Sequence, residues 1–141
     1  MMRINPVLLI FELVLLAWFW GCIVTYKIGK CTLVDGMGIH SAEFIMLLIY
    51  IMSILSYLLF PQIGRFIVLA TLVFWLIVQF FCHWYYTLFG ASDMKIKGYN
   101  ECFKNTIRIF PQRDNKIIPD LYHIVLHLLI LVNIILSITL Q

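Results

Sequence analysis

Charge is what this sequence has least of: 12% of its 141 residues are Asp, Glu, Lys or Arg, against 63% that are apolar. So little charge excludes a disordered tail, whose composition is polar and strongly charged. A soluble domain is excluded as well, because the interior of a chain this short cannot hide so many Leu, Ile, Phe and Trp side chains. Cysteine is scarce, at Cys22, Cys31, Cys82 and Cys102, and no Cys-x-x-Cys occurs. That argues against a secreted disulfide scaffold and against a dithiol redox motif. A phosphate-cradling glycine loop is also missing, since Asp35-Gly36-Met37-Gly38 has no flanking strand pattern and no lysine. It reads instead as a turn whose glycines supply positive-φ positions. Neither an internal repeat nor a low-complexity tract is present.

What the chain does have is a mean hydropathy of +0.99, concentrated in four apolar runs. A helix needs about 20 residues to cross roughly 30 Å of hydrocarbon, and runs of that order span about 6–26, 41–60, 63–89 and 119–140. Backbone amides in lipid must find internal partners, so such runs are helical, and the period-two alternation of a membrane barrel is absent. The sequence therefore predicts an all-α, polytopic membrane protein, a single domain over 1–141 built as a four-transmembrane-helix bundle. The first run is read as a retained span, because it lacks the small-x-small exit of a cleaved signal. Between the second and third runs, Pro61-Gln62-Ile63-Gly64-Arg65 predicts a tight antiparallel turn.

Even threading puts both termini on one face with Arg3 and Arg65, and puts Lys27, Lys30, Lys95, Lys97, Lys104, Arg108, Arg113 and Lys116 on the other. The positive-inside rule then places the termini outside and the 27–40 and 90–118 loops in the cytoplasm, as in a bacterial inner (cell) membrane protein. The net charge of +3 is loop charge of this kind rather than a nucleic-acid footprint, and no nucleic acid is expected as a partner. Trp18, Trp20, Tyr26, Trp84, Tyr85 and Tyr86 mark the cytoplasmic interface.

Between the third and fourth runs, Tyr99, Cys102, Phe103, Thr106, Ile107 and Phe110 recur at helical spacing. The stripe predicts a short interfacial amphipathic helix over about 97–110, ended by Pro111. Lys97, Lys104 and Arg108 lie on its polar side, where they can meet anionic headgroups. Packing against the cytoplasmic ends of the bundle is the plainer alternative.

Two polar layers stand out within the apolar runs. The first holds His40, His83, His123 and His127, all toward the cytoplasmic side, with Glu43 three residues from His40 and Asp120 three residues before His123. Imidazoles and carboxylates from several helices can coordinate a divalent metal such as Zn²⁺, and two facing histidines, for example His83 with His127, can clasp a haem. The plain alternative is a set of interfacial side chains satisfied by carbonyls, water, Asp120 and Glu43. Gln79 and Thr87 share the His83 face at four-residue spacing.

The second layer pairs Glu12 with Asn133 at similar height in the outer half, near Ser53, Ser56 and Thr71. A carboxyl there costs about 2.5–3.5 kcal/mol on insertion scales, so Glu12 is expected to face the bundle, protonated or hydrogen-bonded to Asn133 or those hydroxyls. It reads as a register-fixing clamp, with a proton or cation site as the functional alternative. The function expected from all this is non-catalytic. In that reading a small integral membrane protein in contact with the lipid bilayer binds another membrane protein, a second copy or a lipid, in the manner of accessory, immunity or exclusion proteins. The competing expectation is a metal- or haem-binding membrane enzyme or transporter built on the histidines.

Overall fold

The computed structural model describes residues 4–140. Helix α1 (Pro6–Phe19) ends in a tight turn, Trp20–Cys22, and leads into a hairpin of strands β1 (Tyr26–Ile28) and β2 (Cys31–Val34). Helices α2 (Ala42–Leu59), α3 (Pro61–Phe89), α4 (Asp93–Cys102) and α5 (Leu121–Thr139) follow. Three of them, α2, α3 and α5, are long and apolar enough to cross a membrane, whereas the Pro6–Cys22 segment is shorter. The helices run alternately up and down. The chain thus has a turn end, with the start of α1, the α2–α3 connection and the end of α5, and a loop end, which carries the hairpin and the segment around α4.

Three helices, α1, α2 and α5, start where the sequence supplies side-chain partners for the free amides of the first turn. Asn5 Oδ1 accepts from Val7 N (3.0 Å) and Leu8 N (3.3 Å), and Pro6 occupies a position where its missing donor costs nothing. Ser41 Oγ accepts from Phe44 N at 3.2 Å, with Glu43 favourably placed in the first turn of α2. Asp120 does the same for α5 through His123 N.

The connection between α2 and α3 is tighter than the sequence implies. Residues 61–65 form the first turn of α3 rather than a loop, and Phe60 alone (φ −134°, ψ 74°) separates the two helices. Proline at the first helical position explains this, because its ring starts a helix as readily as it stops one. Gly64 makes the reversal possible: a Cβ there would lie 2.3 Å from the Ser56 carbonyl and from Tyr57 Cα. At the same end Arg65 Nε donates to Ser137 O (2.8 Å), satisfying a carbonyl in the last turn of α5, and Asn5 N donates to the Tyr57 hydroxyl (2.8 Å).

Aromatic side chains join the helices further along. Phe19, Tyr50 and Trp75 bring α1, α2 and α3 together, with ring centroids 4.2 Å apart for Phe19 and Trp75 and 5.5 Å for Tyr50 and Trp75. Trp18 and Tyr122 stack at 5.3 Å and exchange hydrogen bonds, Trp18 Nε1 to Tyr122 O and Tyr122 Oη to Trp18 O. The outward faces of α2, α3 and α5 carry exposed Leu48, Met52, Phe66, Ile77, Leu128 and Ile135.

Three boundaries differ from the sequence expectation. The first helix stops at Cys22 rather than near Tyr26, because β-branched Ile23, Val24 and Thr25 lead into the hairpin, which turns at Gly29 (φ 61°). A strand does therefore precede Asp35. Of the two following glycines only Gly38 has positive φ, while Gly36 is required by close approach, its notional Cβ lying 2.7 Å from Ile23 C. The helix expected over 97–110 runs instead from Asp93 to Cys102. Beyond it Thr106 bridges to Thr32 of the hairpin and Ile107 O accepts from Leu121 N (2.8 Å), so extended backbone there gains partners that a continued helix would forgo. Finally, α3 contains a π turn at Phe80–Trp84, where Tyr85 N reaches back five residues to Phe80 O.

Gly64→Ala is expected to force α2 and α3 apart and to cost about 1–3 kcal/mol, in the range of overpacked interiors. Gly98→Ala, where nothing lies within 4 Å of the added methyl, should be neutral or stabilise α4 by about 0.5–1 kcal/mol. Thermal unfolding of the detergent-purified variants distinguishes the two.

Candidate functional site

Three of the four histidines meet at the loop end. The centroid of the His83 ring is 4.2 Å from that of His123 and 5.6 Å from that of His127. The π turn in α3 carries His83, and such turns recur at functional sites. His123 and His127 lie one turn apart on α5.

Each ring is anchored by a different partner. Trp84 Nε1 donates to His127 Nδ1 (2.8 Å), so His127 Nε2 carries the proton that Gln79 Oε1 accepts (3.1 Å). His123 Nδ1 bonds Asp120 Oδ1 at 2.6 Å, and His83 Nδ1 bonds the Tyr99 hydroxyl at 2.8 Å. Nε2 of His83 and Nε2 of His123 are left without a hydrogen bond among the described residues. Burial pushes the Asp120 carboxyl up, but hydrogen bonds from the His123 imidazole and amide and the nearby imidazole charge outweigh it, so Asp120 sits below the usual carboxylate range. Burial, reinforced by the Asp120 charge, pushes the Tyr99 phenol up despite Arg108 nearby.

The His83 and His123 rings border a cavity of about 530 Å³. Ala42, Met46 and Ile49 of α2 form one side and Phe74, Trp75 and Val78 of α3 another. Gln79, His83, His123, Asp35 and Glu43 contribute its polar groups, and Tyr99 and Phe103 from the α4 region line it from the loop end. Apolar walls with a few converging polar groups are the usual form of a small-molecule site.

The sequence grouped His40, His83, His123, His127, Glu43 and Asp120 as one ligand set, and the structure divides them. His40 is exposed, lying before the Ser41 cap and so outside α2, and does not join the cluster. Glu43 lines the cavity, while Asp120 serves His123 and the helix start. Among the described residues no three His, Cys, Asp or Glu side chains are arranged to hold a metal ion. For a haem clasped by His83 and His127, the obstacle is that both nitrogens of His127 are already engaged. All four cysteines are free, Cys22 buried and the others exposed.

The outer layer is rearranged too. Glu12 is fully buried, but its Oε2 accepts from Tyr50 Oη, whereas Asn133 Nδ2 donates to Phe11 O (3.3 Å) and Leu129 O (2.9 Å). Glu12 thus faces α2 while Asn133 reaches α1 from α5, and the two do not bond each other. Ser53 and Ser56 bond carbonyls of their own helix, and Thr71 makes no side-chain hydrogen bond among the described residues. Hydroxyls one turn from a free carbonyl are satisfied locally. Lys97, Lys104 and Arg108 lie in a separate cleft on the far side of α4.

Tyr50, Trp84 and Tyr99 were not singled out as partners. Tyr99 sat in an apolar stripe and Trp84 in a run of interface anchors, and a phenol or indole gives no sign in sequence of which acceptor it will reach. Tyr50 was legible in principle, since it lies one turn before Ser53 at a depth matching Glu12 in an antiparallel pair. No family model, curated protein or solved structure matches the chain.

Tyr50→Phe removes the one partner of a buried carboxyl and is expected to cost about 1–3 kcal/mol. Adding Glu12→Leu should recover part of that loss, as a double-mutant cycle by thermal unfolding would register. For Asp120, a carboxylate held below its ordinary range stabilises the fold fully above that range and loses this effect as pH falls through the folded-state value. Asp120→Asn keeps a competent cap, so its stability deficit against the unaltered protein should be largest near neutral pH and narrow below about pH 4.

Proposed function

We propose that the chain is a small, non-catalytic, multi-pass membrane protein that holds a lipid-like amphiphile in the loop-end cavity. One observation carries this reading: a largely apolar cavity of about 530 Å³ with Gln79, His83, His123, Asp35 and Glu43 on its wall. Two of those groups, His83 Nε2 and His123 Nε2, have no other partner among the described residues. Apolar walls suit an acyl or isoprenoid tail, and the imidazole nitrogens suit an uncharged hydrogen-bonding head such as a hydroxyl, carbonyl or amide. The anchors on Tyr99 and Asp120 hold the two rings in place before a ligand arrives.

In this reading the bundle crosses the bilayer four times, in what we take to be a bacterial cell membrane. Helix α1 with the turn that follows it, Pro6–Cys22, manages with about 26 Å of length at 1.5 Å per residue through local thinning and its interfacial tryptophans. Both ends of the chain lie outside, and the basic loop end, with α4 at the headgroup level, faces the cytoplasm. Recognition of another membrane protein through the outward apolar faces is the related alternative.

Met46→Trp would place an indole in the cavity. Native mass spectrometry of the purified protein should find a lipid-like molecule bound to the unaltered chain and at least about tenfold less, roughly 1.4 kcal/mol, on the variant. An unaltered chain that carries no such molecule would defeat the proposal. A stoichiometric metal or haem lost on His83→Ala would select the cofactor reading instead.

A further inference from the structure

The two sides of α4 face two different sites. Tyr99 and Phe103 line the apolar cavity, whereas Lys97, Asn100 and Lys104 line a cleft of about 660 Å³. Across this cleft the chain returns toward α5 and adds Arg108, Arg113 and Lys116, so five cations meet there from two stretches of chain. Three carboxylates share the wall, Asp93, Glu101 and Asp114. Yet none of the five cations forms an ion pair among the described residues. Arg108 is instead positioned by an amide, its Nη1 donating to Asn100 Oδ1 at 2.8 Å.

We infer that this cleft binds a phosphate monoester. The excess of two positive charges matches the charge of about −1.5 to −2 that a phosphate monoester carries near neutral pH. Two arginine forks can each present paired donors to phosphate oxygens, and the lysines add point charges. Amide anchoring of Arg108 keeps one guanidinium from collapsing onto Glu101 or Asp114. The wall carboxylates discriminate against ligands of low charge density, since a monoanion gains less from five cations that three anions already partly offset. Given the membrane reading above, the segment between α3 and α5 lies at headgroup depth, so the phosphate can come from a lipid with a terminal monoester or from a free phosphate compound.

The test titrates the purified chain, in uncharged detergent, with three probes: water-soluble short-chain phosphatidic acid, phosphatidylcholine of the same chain length, and inorganic phosphate. Phosphatidic acid is expected to bind and phosphatidylcholine not to. Losing two charge-assisted contacts to the phosphate, Lys97→Gln with Lys104→Gln should weaken binding at least about 30-fold. Both side chains are exposed, so the double variant should fold, with the unaltered melting temperature as its check. Lys27→Gln with Lys30→Gln, on the hairpin outside the cleft, should leave affinity unchanged. Inorganic phosphate binding with the same sensitivity to Lys97 and Lys104 would identify a free ligand, and binding of the lipid alone would identify a headgroup; either supports the inference. Equal affinity for phosphatidylcholine, equal losses in the two double variants, or no binding of either phosphate would overturn it. Met46→Trp should not alter this titration, which separates its failure from that of the cavity.

Discussion

The rest of the structure depends on how closely α2 and α3 approach at the turn end. With hydrogen in place of a methyl at Gly64, the backbone of α3 can lie against Ser56 and Tyr57. A single residue, Phe60, then suffices to reverse the chain. Two helices locked this tightly at one end need not stay in contact at the other, and it is between Ala42–Ile49 of α2 and Phe74–His83 of α3 that the cavity lies. The same end gains Arg65 on the last turn of α5 and Tyr57 on the first residues before α1, so all four helices are tied there by polar contacts. The loop end has no such knot. Its helices are held by aromatic stacking, by the paired Trp18–Tyr122 hydrogen bonds and by the side-chain hydrogen bonds around His83, His123 and His127.

Sequence periodicity marked out four apolar runs, and three of them are helices long and apolar enough to cross a membrane, because helix length and hydropathy follow directly from residue spacing. It went no further where partner choice depends on tertiary placement. His40 and His83 are the same residue type at comparable depth, but one precedes a helix cap and the other sits inside a π turn, a backbone feature with no clear sequence signature. Glu12 was legible as buried, because lipid rejects a carboxyl. That its partner is Tyr50 rather than Asn133 depends on how α1 is rotated about its axis, which an apolar run such as Leu8 to Phe19 does not encode.

The two polar layers differ in how completely their groups are used. In the outer one, Glu12 Oε1, Asn133 Oδ1 and Ser137 Oγ are buried without partners among the described residues. Buried orphans of this kind cost stability without offering a ligand an entrance, consistent with a clamp that sets helix register. The inner layer holds one such orphan, Asp120 Oδ2, but differs in its rings. Its anchoring nitrogens are satisfied, and the two that are not belong to rings bordering a cavity large enough for a ligand. A site has to combine both properties, because an unanchored ring would turn toward its neighbours and a fully bonded one would have nothing left to offer.

The early end of α4 follows from the same logic. Had the helix continued to 110 it would have formed one amphipathic rod, with Phe103, Thr106 and Phe110 along a single apolar face. Ending at Cys102 instead frees Thr106 to bridge the hairpin at Thr32 and lets Ile107 accept from the first residue of α5. Those two links fasten three separate pieces of the loop end to one another. They also set α4 across the bundle with Tyr99 toward the imidazoles and Lys97 toward Arg108 and Lys116. A ten-residue helix whose mean composition is too polar to bury can therefore act as the wall between an apolar site and a cationic one.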